Sequence, residues 1–175
     1  MVPGAEAVAS GRDRVRASGW DYLVIVGWLA VLTVLGVVVR GVLPPGADAP
    51  SALAADAVAL VLSVLPVWTY LTLTERGAAQ ATWGKRRTGL RVVAAGGNRA
   101  GGARVAVRNA VKLLPWQLAH VSVARVILEV EAPVVIGTTY GLSLLLPVVS
   151  IAMAWRDPLH RALHHRIAGT RVVPA

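Results

Sequence analysis

The segment Asn109–Val130, NAVKLLPWQLAHVSVARVILEV, decides how this chain folds, because it is long enough to cross a membrane yet carries Lys112, His120 and Arg125. The stretches around it are simpler. Trp20–Leu43 has one acid, Asp21, and one base, Arg40, near its ends; Ala52–Thr74 has only Asp56; Pro133–Trp155 has no charge. Each can cross a hydrocarbon layer of about 30 Å as a helix. The composition agrees. Of 175 residues, 55% are hydrophobic and 15% charged, with a mean hydropathy of +0.61, more apolar surface than one soluble domain hides.

A net charge of +9 raises the question of nucleic acid, but its distribution answers it differently. Arg12, Arg14 and Arg16 precede the first apolar stretch; no Lys or Arg occurs from Gly41 to Glu75; nine fall between Arg76 and Lys112; Arg156, Arg161, Arg166 and Arg171 follow the last stretch. The positive-inside rule puts the N-terminus, the 76–112 segment and the C-terminus on the cytoplasmic side. An even number of crossings must then separate the last two. Asn109–Val130 supplies the missing one, with Glu129, Glu131 and Pro133 in a short outer turn. The expected fold is an all-α, polytopic bundle of four transmembrane helices, at about 20–43, 52–74, 104–130 and 133–155. The alternative lays residues 103–128 in the interface as an amphipathic helix and leaves three crossings.

At about 100° per residue, Asn109, Lys112, Trp116 and His120 share one stripe, which should face the bundle interior. Arg125 and Glu129 fall on the other side at i, i+4 spacing. Pro115 frees a carbonyl one turn earlier. In the second helix Ser51 is the expected N-cap, and Asp56 sits where the helix dipole favours a carboxylate. Ala47-Asp48-Ala49 resembles a signal-peptidase site, but the apolar run before it is longer than a cleaved signal's, so the first span reads as a retained anchor. The chain has no Cys, hence no disulfide or thiolate chemistry.

A basic segment, Thr82-Trp83-Gly84-Lys85-Arg86-Arg87-Thr88-Gly89-Leu90-Arg91-Val92-Val93, is echoed by Arg166-Ile167-Ala168-Gly169-Thr170-Arg171-Val172-Val173. Leu90–Ala94 and Thr170–Pro174 have the β-branched content of strands, and their pairing predicts a small cytoplasmic two-stranded element. That pairing would bring Gly89 and Gly169 together where crowding excludes a side chain. Lys85, Arg86 and Arg87 read as a contact for anionic lipid at the cytoplasmic face. Arg14 and Asp21, two helical turns apart, would project toward one neighbour, with Ala17 and Ser18 permitting close approach; the structural alternative has Arg14 on lipid phosphate and Asp21 clamped to a basic group of the 85–91 loop or the third helix. Asp157, His160 and His164 have helical spacing but make a poor metal set, so no metal or other cofactor is expected. No nucleophile elbow, Walker or dinucleotide fingerprint is present.

Arg14-x-x-Ala17-x-x-x-Asp21, Trp83-Gly84-Lys85-Arg86-x-x-Gly89-Leu90-Arg91-Val92-Val93, Val107-Arg108-Asn109 and Leu163-His164-His165-Arg166-Ile167-Ala168-Gly169-Thr170 together resemble the RDD family of small bacterial membrane proteins. The resemblance implies one membrane domain over residues 14–175, overlapping a basic cytoplasmic segment at 1–19. It also implies residence in the inner membrane and a transport role, with cation/proton antiport in some members. Arg14 is the family's Arg and Asp21 its first Asp; its second Asp falls where this chain has His165, leaving an Asp21–His165 contact as the expected substitute. The candidate ion site is Arg14, Asp21, Lys85, Arg108, Asn109, Lys112, His120 and His165, framed by Trp83, Gly84, Gly89, Arg91, Gly169 and Thr170. Transport of a small ion or solute stands against a non-catalytic module that binds lipid, a membrane protein partner or a second copy. An enzyme and a nucleic-acid partner are not expected.

Overall fold

A computed structural model describes residues 8–44 and 49–175; Ala47 and Asp48 of the cleavage-like tripeptide lie outside the described residues. Helix α1 spans Gly11–Val42 and starts well before the apolar run, because Ser10 Oγ accepts the Asp13 N–H at 3.1 Å and caps it. Arg12, Arg14 and Arg16 therefore ride on the first turns of α1 and not on a separate tail.

The second apolar stretch is one rod made of α2 (Ala52–Ala59), a π-helical turn (Leu60–Val64) and α3 (Leu65–Arg76). Ser51 caps α2 as expected, accepting from Ala54 N at 3.2 Å. The π turn is marked by the Leu65 N–H reaching back five residues to the Leu60 carbonyl. Pro66 has no N–H for the Leu62 carbonyl, and Trp28 Nε1 of α1 donates to it at 2.9 Å instead.

Helix α4 is a short turn, Trp83–Arg87, and strand β1 is Leu90–Ala94. Helices α5 (Gly102–Ile127) and α6 (Pro133–Arg156) follow, then α7 (Leu163–Ala168) and strand β2 (Thr170–Pro174). Helix α5 packs chiefly on α6, where Ser122 Oγ and Thr139 Oγ1 are 2.5 Å apart. It also runs antiparallel along the whole α2–α3 rod: Arg108 meets Glu75, Asn109 meets Thr72, His120 meets Ser63 and Arg125 meets Asp56. Three helices, α1, the rod and α6, are long and apolar enough to cross a membrane. Helix α5 is long enough at 26 residues, but it is not among them.

This register corrects the expected Arg125–Glu129 pairing and gives Asp56 a second partner. Arg125 forks onto Asp56, with both nitrogens 3.0 Å from the carboxylate, and Glu129 lies beyond the helix end at φ 52°. Asp56 is held by that guanidinium as well as by any dipole, because the antiparallel rod brings α2's first turns to α5's last.

The two strands pair antiparallel from Leu90↔Pro174 to Ala94↔Thr170, so the echo in the sequence is indeed a two-stranded sheet. Gly89 and Gly169 stand at opposite ends of that ladder and not side by side. Both have positive φ, 64° and 60°, and no backbone crowds either, so their requirement is conformational and not steric. The sheet buries Val92 and Val172 against Ala9 and Ala17 of the α1 end. A second apolar cluster, Val64, Val67, Leu71 and Leu113, fills the seam between the rod and α5.

Candidate functional site

At the α4 end of the bundle, side chains from four helices converge. The close approach of α4 to α1 is possible because residue 84 is glycine: a Cβ there would collide with the Ala17 carbonyl oxygen and stand 2.9 Å from Asp21 Cγ. That approach lets the Asp21 carboxylate accept from Gly84 N at 2.8 Å, Thr82 Oγ1 at 2.5 Å and Tyr70 Oη at 3.0 Å. Thr82 is also the N-cap of α4, accepting from Lys85 N at 3.3 Å, and Tyr70 Oη accepts from Trp83 N at 3.2 Å. Asp21 is thus fastened to the start of α4.

Beside it lies a second carboxylate, Glu75, which is fully buried. Its Oε1 accepts from Lys85 Nζ at 2.9 Å; its Oε2 accepts from Arg108 Nη1 and from Asn109 Nδ2, the latter at 3.0 Å. Asn109 is locked in turn by Arg108 Nη1 on its Oδ1 at 2.8 Å and by Thr72 Oγ1, 3.3 Å from its Nδ2. Lys85 Nζ is 3.9 Å from Asp21 Oδ2, so one ammonium stands between two carboxylates. Two acids against Lys85 and Arg108 leave the group formally neutral. Buried charges persist only when paired and hydrogen-bonded in this way.

Asp21, Lys85, Arg108 and Asn109 are therefore brought together as the sequence predicts, while the other candidates lie elsewhere. Arg14 does not share Asp21's neighbour or reach out to lipid. Its guanidinium donates to the carbonyls of Ala9 (3.3 Å), His160 (2.9 Å), Leu159 (3.3 Å) and Val172 (3.0 Å), pinning α1 to the C-terminal strand. Seven residues separate it from Asp21, and the C-terminal segment occupies the space next to its turn of the helix. Lys112, one turn beyond Arg108, makes no hydrogen bond or ion pair to a described residue, yet its charge is felt by Glu75 and Asp21 at the edge of the cluster. His120 Nε2 is 3.0 Å from Ser63 Oγ, and its ring stacks on Trp116.

His165 does not meet Asp21. Its Nδ1 is 3.0 Å from Thr170 Oγ1 and its ring lies 4.6 Å from that of His164, because α7 leads directly into β2 and the sheet fixes Thr170. Burial, and then the positive charge of Arg108, push the His165 imidazole well below its usual range; burial and Arg108 do the same to His164. His165 is therefore neutral where the family pattern has an Asp. Asp157, 3.5 Å from Arg166 Nη2, takes Arg161 N, Nε and Nη2 at 2.7, 2.8 and 3.1 Å, and those bonds lower its carboxyl to about 2.

The basic run Lys85-Arg86-Arg87 divides by helical geometry. Lys85 turns inward, Arg86 is exposed, and Arg87 lies over Trp83 and Trp20, 4.5 and 4.8 Å from the ring centroids. Trp20 and Trp83 themselves meet edge to face at 5.5 Å. Arg91 and Thr170 belong to the sheet, opposite Val173 and Ala94.

Glu75 is the site residue that the sequence reading misses, together with Tyr70, Thr72 and Thr82. A signal for Glu75 exists: it is the only acid between Asp56 and Glu129, beside nine basic residues, and a buried base needs a counter-ion. The hydroxyls have no such signal, since Ser and Thr in apolar helices usually bond their own turn.

No curated protein and no solved structure matches the chain. The model of the RDD family matches residues 8–169, which hold the Asp21 clasp, Glu75 and the Arg108–Asn109 pair. The chain is a membrane protein that belongs to the RDD family.

Proposed function

We propose that this protein exchanges a small monovalent cation for protons across a bacterial cytoplasmic membrane, at the Asp21–Glu75–Lys85 cluster, without catalysing a covalent reaction. The observation that carries the reading is the Lys85 ammonium, held between two buried carboxylates where a bare cation would sit. If Lys85 sheds a proton and a cation takes its place, the cluster keeps its charge: two carboxylates still face Arg108 and one monovalent positive charge. The exchange is one for one.

Four crossings with both termini in the cytoplasm accompany the reading. Its support is the paired charge of α5, whose Arg108 and Arg125 are each matched by an acid of the rod, together with the basic residues at the α4 end. Proteoliposomes carrying a pH dye test it. A cation gradient should drive proton movement in the wild type and not in Asp21→Asn, and a wild type that moves no proton with any alkali cation would refute it.

A second reading, a lipid-docking module, is favoured by the exposed Arg86 and by Arg87 over Trp20 and Trp83, an arrangement suited to anionic headgroups. It predicts that Arg86→Gln with Arg87→Gln loses enrichment of anionic lipid around the protein while proton movement is unchanged.

A further inference from the structure

The Lys85 exchange just described needs somewhere for the released proton to go, and the rod provides one unusual place. Ser63 lies in the π-helical turn, seven residues from Asp56 and twelve from Glu75 along the rod, so about 10 Å and about 18 Å in helical rise. Its hydroxyl has one hydrogen, which it donates to the Ala59 carbonyl at 2.6 Å. Toward His120, 3.0 Å away, Ser63 Oγ must therefore accept, and His120 Nε2 must carry the hydrogen. In a neutral imidazole the other nitrogen is then bare. His120 Nδ1 makes no hydrogen bond to a described residue.

We infer that His120 is a proton-binding site at mid-depth of the bundle, Nδ1 taking up the proton while Nε2–H stays bonded to Ser63. Protonation adds H⁺ to the Nδ1 lone pair and breaks no existing hydrogen bond. The imidazolium faces the stacked Trp116 ring, centroids 6.1 Å apart, which favours a cation. Between this site and the Lys85 cluster lie Val64, Val67, Leu71 and Leu113, an apolar plug that a proton passes only when the seam opens. The π turn, where helical bonding is already loosened, is the place for that movement.

The charged and titratable groups on the elements around α5 are all committed elsewhere or remote along the helix. Asp56 of α2 is forked by Arg125; Glu75 of α3 is held by Lys85 and Arg108; Tyr70 is bonded to Asp21. Arg76 ends α3 at the Glu75 end of the rod, α6 offers only Tyr140 before Arg156, α7 offers His164, His165 and Arg166, the last paired with Asp157, and β2 offers Arg171. On α5 itself Lys112 is two turns away. None of these is hydrogen-bonded to the His120 ring.

The role in exchange rests on the proposed function; the site itself is testable without it. Full-length protein with ¹⁵N-labelled histidine is placed in liposomes, with His120→Gln identifying the signal by difference. In a titration run from about pH 8 down to about pH 4, solid-state NMR should show protonated Nε2 and bare Nδ1 at the upper end and both nitrogens protonated at the lower end. A ring that stays neutral throughout, or carries its hydrogen on Nδ1 at the higher pH, overturns the inference. His120→Gln keeps an amide donor for Ser63 but cannot hold a proton, so cation-driven proton flux should fall about 100-fold with little change in melting temperature. Undiminished flux in that variant also overturns it. A wild type without flux whose His120 still titrates as stated would refute the exchange and support the mid-depth site.

Discussion

Lys85 Nζ lies 2.9 Å from Glu75 Oε1 and 3.9 Å from Asp21 Oδ2, with none of the three side chains more than a tenth exposed. Glu75 also faces Arg108, so its charge is shared by two cations. Glu75→Gln leaves Arg108 without its acid and Lys85 with only the more distant Asp21, and should cost about 3–5 kcal/mol, the usual penalty for an orphaned buried charge. Lys85→Met should cost less, because Arg108 still neutralises Glu75. Thermal unfolding of the two single variants and the double variant in lipid measures this. The double variant should be less destabilised than the sum of the singles.

Gly84 and Gly89 are both required, for different reasons, and the difference is measurable. Gly84→Ala drives a methyl group into the α1 backbone at Ala17 and into Asp21, and should cost about 3 kcal/mol or more. Gly89→Ala meets no atom within 4 Å and suffers only its positive φ, about 1–2 kcal/mol. Equal losses in melting temperature would contradict this assignment. The Gly84 variant should also unlink Tyr70 and Thr82 from Asp21, read as faster hydrogen exchange at residues 82–85.

Trp28 supplies the hydrogen bond that Pro66 denies to Leu62. Trp28→Phe keeps an aromatic ring and leaves that carbonyl unpaired, for a loss of about 1–3 kcal/mol. The double variant Trp28→Phe with Pro66→Ala should recover most of it, since alanine restores the N–H. A variant pair that behaves additively would show that the indole serves only to pack.

The pH dependence of the sheet end follows from the two histidines of α7. Burial and Arg108 lower both imidazoles in the folded state below the ordinary value of about 6.5. The unfolded chain therefore binds protons that the folded one refuses. Stability is fully present above pH 6.5 and falls as the pH drops below it. Melting temperature measured between about pH 8 and 5 should decline on the acid side, and His165→Gln should flatten that decline. A flat wild-type profile would contradict the burial-driven shift.

Single cysteines at positions 98, 131 and 173 of this Cys-free chain test the crossing number. Positions 98 and 173 should label from one side and 131 from the other. If 131 labels with 98, α5 lies along the surface and only three helices cross.

Three of the apolar stretches and their lengths were legible in the sequence because hydropathy is a property of order along the chain. The two-stranded sheet was legible for a related reason: Leu90–Ala94 and Thr170–Pro174 repeat the same β-branched pattern, and an unpaired strand leaves its backbone polar groups unsatisfied. The clasp on Asp21 was half legible. Gly84 and Lys85 stood out, whereas Tyr70 and Thr82 look like ordinary members of their segments.

Partner choice is where sequence order fails. Arg125 has Glu129 four residues away and bonds Asp56, 69 residues away; His165 was expected at Asp21 and bonds Thr170; Glu75 passes for the end of a helix and is the centre of the charge cluster. The sequence by itself determined the membrane class, the basic face and the family. Only the tertiary structure decided which charges meet, because long side chains from several helices reach the same space. The antiparallel run of α5 along the rod, and the missing Cβ of Gly84, determine which of them arrive there.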